Sequence, residues 1–155
     1  MDITGEYRIA APRVTVWEAL NDENVLKACL PGCEEIARTS QTTLTAKLVQ
    51  KIGPVKAKFD SAIELSDIVP PESYRIQGEG QGGVAGFAKG AANVTLEEDG
   101  DETILRYSAH AQVGGKLARL GSRLIDATAK KVAGQFFDNF HSYLHPQEGA
   151  APPEG

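Results

Sequence analysis

Between Thr43 and Leu65 the chain alternates apolar and polar residues almost without a break. Leu44, Ala46 and Leu48 are interleaved with Thr45 and Lys47. After Gly53-Pro54, the set Val55, Ala57, Phe59, Ser61, Ile63 and Leu65 alternates with Lys56, Lys58, Asp60, Ala62 and Glu64. A period of two belongs to strands with one dry face and one wet face. An amphipathic helix would repeat about every 3.6 residues instead. An all-helical fold is therefore excluded. Further strand signals cover Gly5 to Ala10, Tyr74 to Gly80, Ala88 to Glu98 and Thr103 to Val113. Pro70-Pro71 and Asp99-Gly100 separate them as turns. Consecutive strands joined so tightly pair antiparallel.

Helical spacing appears in two places. Pro12 precedes Val16, Ala19 and Leu20, and a second short run holds Val25, Leu26 and Leu30 before Pro31-Gly32. After Gly114-Gly115, the segment from Lys116 to about Leu144 reads as one long helix. Leu117, Leu120, Leu124, Ile125, Thr128, Val132 and Tyr143 form its apolar stripe, with Arg119, Arg123, Asp126 and Lys130 opposite. His145-Pro146 stops it. The expectation is one α+β domain over residues 1–145 and a disordered tail over residues 146–155. In that domain a curved antiparallel sheet is covered by the long C-terminal helix, with two short helices after the first strand.

A length of 155 residues fits one domain. The net charge of -5 argues against nucleic acid and allows at most peripheral membrane contact. Two cysteines are too few for a disulfide framework, and the N-terminus lacks a basic region followed by an apolar stretch. A cytoplasmic setting is expected.

The residues expected to face inward are small: Ala46, Ala57, Ser61, Gly78, Gly80, Ala88, Gly90, Ala92, Ala109 and Ala111. Two readings stand side by side. The interior is hollow and suits a lipophilic ligand, or the helix docks unusually close to the sheet.

Chemical motifs are scarce. Gly78-Glu79-Gly80-Gln81-Gly82-Gly83 matches a nucleotide-binding spacing, but no helix follows to hold a pyrophosphate. The glycine-rich stretch 78–90 reads as a connection able to gate a cavity. Cys29 with Cys33, and His141 with His145, are each four apart and lack further ligands for a metal. His110 falls on the wet face. A cyclase-like enzyme would need an acid/base pair inside, and the inward polar residues are only Tyr74, Tyr107, Thr128 and Gln50. No catalytic, cofactor or metal residue is assigned. Phe137, Phe140 and Leu144 fall off the main helical stripe. Either the N-terminal elements cover them, or they form a docking surface for a partner or a second copy.

Leu30-Pro31-Gly32-Cys33, Gly53-Pro54-Val55-Lys56, the run from Gly82 to Gly90 and the run from Gln112 to Ile125 carry a family resemblance. From Met1 to about Leu144 the sequence resembles the G-subunit proteins of carbon-monoxide dehydrogenase systems, within the START-like, polyketide-cyclase-like superfamily. The resemblance implies a helix-grip fold. It implies a non-catalytic accessory protein of a molybdenum hydroxylase, aiding its maturation or membrane attachment. It also implies a cavity for a quinone-like or other lipophilic molecule. Trp17, Leu26, Leu30, Phe59, Tyr74, Phe87, Tyr107, Leu124, Thr128, Val132 and Phe136 are its candidate lining. The Pro-rich C-terminal segment here departs from relatives that end in a hydrophobic anchor.

Overall fold

The computed structural model describes residues 1–146. Strand β1 (Asp2–Ile9) leads into two short helices, α1 (Arg13–Leu20) and α2 (Glu23–Cys29). Six strands follow: β2 (Cys33–Arg38), β3 (Thr43–Ile52), β4 (Val55–Val69), β5 (Ser73–Gln81), β6 (Phe87–Asp99) and β7 (Glu102–Gly114). Helix α3 (Ser122–Leu144) comes last. The expected tail, apart from Pro146, lies outside the described residues.

All seven strands form one antiparallel sheet in the order β1-β7-β6-β5-β4-β3-β2. Each hairpin puts neighbours side by side, and only β1 returns from the start of the chain to pair with β7. The alternation in β4 sets its register. Ser61 faces Ala46 and Gly80, while Ile63 faces Leu44 and Gly78. The wet side carries cross-strand ion pairs such as Arg106 with Glu6 at 3.0 Å. Exposed pairs of this kind contribute at most about 1 kcal/mol. His110 lies there too, its Nδ1 2.6 Å from a carboxylate oxygen of Asp2.

The expected single helix from Lys116 is divided. Gly115–Leu120 forms a 3-10 segment, and α3 begins only after Gly121, whose φ of +93° no continuous helix tolerates. Leu117 and Leu120 therefore lie outside the helix that carries the rest of the stripe. Tyr143, placed on the stripe by unbroken periodicity, is 48% exposed. The glycine-rich stretch 78–90 is mostly regular strand, interrupted by a 3-10 turn at Gly83–Ala85 that buries Ala85.

The core forms two clusters. One holds Val16, Val25, Cys29, Leu44, Leu65, Tyr74, Val94, Leu96, Leu105 and Phe140, under α1, α2 and the end of α3. The other holds Ile52, Ala57, Phe59, Ala85, Leu117 and Ile125 at the opposite end. Phe140 is fully enclosed, Phe137 stacks on Tyr7 with ring centres 4.0 Å apart, and Leu144 packs on the first cluster. β1 and the short helices thus cover this end of α3. Of the three side chains considered for a docking surface or homodimer, Phe140 is wholly taken up within the chain, while Phe137 and Leu144 are half-buried.

Candidate functional site

Helix α3 has 23 residues but fully buries only Ile125 and Phe140, one in each core cluster. Fifteen residues of helix span about 22 Å. Between them, Thr128, Ala129, Val132, Ala133 and Phe136 repeat at helical spacing on the inward stripe, yet all are only half-buried.

The helix is fastened near its two ends. Leu124 sits over Gly53 at the tip of the β3–β4 hairpin. At the other end Phe137 meets Tyr7 of β1, and Asn139 Nδ2 donates to the Cys29 carbonyl at 2.9 Å. α3 therefore runs from β3 toward the far edge of the sheet and bridges the central strands.

Below the bridge the side chains are small. One cross-strand row reads Leu44, Ile63, Gly78, Gly90 and Ala111; the next reads Leu65, Ile76, Ala92 and Ala109. Gly78, Gly90, Ala92, Ala109 and Ala111 face inward but are half-buried, unlike Leu65, Leu96 and Leu105 toward the first cluster. A helix docked close to the sheet would bury both these residues and its own middle. Burial is lower at the centre of the bridge than at either end. Two open grooves of about 460 and 740 Å³ lie on the wet face, around Thr45, Ala62 and Glu79.

The expected lining residues divide between the two ends. Trp17, Leu26, Tyr74, Tyr107 and Phe136 belong to the first cluster, with Trp17 edge-on to Tyr74 at 5.3 Å. Phe59 and Leu124 belong to the second. Leu30 caps α2, and Phe87 lies against Gly114. Only Thr128 and Val132 stand at the centre of the bridge. Phe59 and Tyr74 are buried core residues, not exposed walls. Ala129 and Ala133 of α3, and Ala92 and Ala109 of the sheet, are half-buried on the facing sides and are absent from the expected lining. Ala129 and Ala133 extend the helical stripe and were legible; their small size concealed them.

Two of the polar groups nearby are bonded to backbone carbonyls. Thr128 Oγ1 donates to the Leu124 carbonyl at 2.9 Å, and Gln50 Nε2 donates to the Pro31 carbonyl at 2.7 Å. Burial raises the Tyr74 phenol well above the usual range, and burial followed by the charge of Tyr7 raises Tyr107. Burial also raises both Cys29 and Cys33, which keeps them as weakly reactive thiols. Among the described residues, no three His, Cys, Asp or Glu side chains gather to hold a metal. No helix there is long and apolar enough to cross a membrane.

No curated protein matches the chain. Among solved structures, a conserved protein from Geobacillus kaustophilus is 30% identical, with a TM-score of 0.87 over 92% of this chain and 94% of that one. A START superfamily protein from Mycobacterium smegmatis superposes with a TM-score of 0.70 at 14% identity, over 94% and 98% of the two chains. The latter likeness places the curved sheet and gripped helix in the START-like fold. The family model of the carbon monoxide dehydrogenase G subunit (CoxG) matches residues 5–145, and the chain belongs to that family.

Proposed function

We propose that the chain is a non-catalytic accessory protein of a molybdenum-hydroxylase system of the carbon-monoxide dehydrogenase type. It holds a lipophilic, quinone-like molecule between α3 and the sheet and serves maturation or attachment of the dehydrogenase, in a cytoplasmic setting. Family membership and the START-like fold support a ligand-binding accessory role. The observation that carries the reading is the half-buried belt of Thr128, Ala129, Val132, Gly78, Ala92 and Ala109 between two packed clusters. Apolar walls with few polar groups suit burial of a lipophile. Tyr107 and Phe136, at the first cluster, would flank it, and the Thr128 hydroxyl keeps accepting capacity for a polar head. A cyclase-like reaction would require an acid and a base converging on this space, and Thr128 and Gln50 are already bonded to backbone carbonyls.

Titration with decylubiquinone tests the reading. Trp17 is the sole tryptophan and sits on Tyr74 beside the first cluster. Saturable quenching of its emission at one molecule per chain is the expected result. Linear, unsaturable quenching, unchanged when Ala109 is enlarged to Leu, would remove the proposal's basis.

A further inference from the structure

The sheet is open, and β1 and β2 are its edges. β2 is six residues long, is irregular between Cys33 and Glu35, and has α2 packed beside it. β1 is different. Met1 and Ala111 exchange both backbone hydrogen bonds, at 3.0 and 2.8 Å. Through the β1–β7 register, that pair makes Ile3, Gly5, Tyr7 and Ile9 the residues bonded to β7. Asp2, Thr4, Glu6 and Arg8 therefore turn their N–H and C=O groups toward the free edge. Among the described residues, no backbone group meets them. A long strand edge left like this is a template for another strand.

We propose that the occupant is β1 of a second copy of this chain, paired antiparallel about a two-fold axis at Gly5. The free groups at even positions restrict the pairing to registers in which even residues oppose even residues. With the axis at Gly5, Asp2 opposes the second copy's Arg8 and Thr4 opposes its Glu6. Moving the axis one residue earlier sets Asp2 against Glu6, and one residue later sets Glu6 against Glu6. Both of those put like charges opposite each other, which destabilises strand pairs. Of these three registers, only the Gly5 one joins opposite charges, and it keeps more of the strand paired than an axis moved further along. On the inward face it matches Ile3 with Tyr7 and Met1 with Ile9, all apolar.

The contact is one strand wide and smaller than a standard stable interface, so association depends on concentration. Sedimentation equilibrium of the full chain over a dilution series measures it. Thr4 is exposed on the wet face, so its replacement leaves the core intact. Thr4→Glu places a carboxylate opposite Glu6 twice per dimer, whereas Thr4→Lys places an ammonium there. The dissociation constant is expected to rise roughly tenfold for Thr4→Glu and to fall for Thr4→Lys, with salt narrowing the difference. Register is read by cross-linking: the double variant Thr4→Cys/Glu6→Cys should form a covalent dimer and Thr4→Cys alone should not. A chain that stays monomeric at every concentration, variants that shift in the same direction, or equal cross-linking by Thr4→Cys alone would each overturn the pairing.

Discussion

Gly78, on β5 beneath the middle of α3, gives the sharpest test of whether space lies there. A Cβ added at Gly78 would meet the Ala62 carbonyl at 3.8 Å and Ile63 Cγ1 at 3.9 Å, both ordinary contacts. Its neighbour Gly90 is the control, since a Cβ there would lie 2.7 Å from the His110 carbonyl. Glycine inside a strand is about 0.5–1 kcal/mol less favourable than alanine. Gly78→Ala should therefore raise the melting temperature by about 1–4 °C for a domain of this size. Gly90→Ala forces a backbone shift and should destabilise by about 1–3 kcal/mol. Gly78→Leu is the decisive variant. Its side chain extends away from the sheet, toward α3. With open space above, it folds at least as stably as wild type and displaces a lipophile from the same volume. Melts followed by far-ultraviolet circular dichroism, paired with decylubiquinone titration, report both quantities. A Gly78→Leu protein that melts as low as Gly90→Ala would mean the space is already filled, and the reasoning from small residues would be refuted.

Three further outcomes follow from the packing. Phe140 is fully enclosed and stacks with Phe136 at 5.7 Å, so Phe140→Ala should lose about 3–5 kcal/mol in urea denaturation. Gly134 lies within α3 where an added Cβ meets nothing within 4 Å, so Gly134→Ala should gain up to about 1 kcal/mol, visible by calorimetry. Burial raises the Tyr74 phenol from an ordinary value of 10.0. A raised folded-state value means its contribution is complete below the unfolded value and is lost as pH climbs above it. Urea midpoints compared at neutral pH and above pH 10.0 should fall more for wild type than for Tyr74→Phe.

The sheet was legible because one wet face forces alternation, and β4 carries it from Val55 to Leu65 without interruption. The helix was legible in type but not in its start. Gly121 reads as a tolerable helical glycine until its φ is known. The covering of Phe140 by the N-terminal elements was one of two readings the sequence left open. It depends on β1 returning beside β7 and on α2 meeting α3 through Asn139, contacts between residues about a hundred positions apart. The expected lining residues fall mostly in the two packed clusters. Large residues such as Phe59 and Tyr74 drew attention as walls, but size also makes them core. Ala92, Ala109 and Ala129 are small and half-buried, and in a sequence small residues serve a gap and a tight contact equally well.

The most direct measurement is native mass spectrometry of the full chain purified from its own host, followed by solvent extraction of whatever is released. The expected result is a species heavier than the bare chain by one small lipophile, recovered in the organic phase and lost from the Gly78→Leu protein. A spectrum containing only the bare chain, together with decylubiquinone titrations that never saturate, would contradict a ligand held between α3 and the sheet.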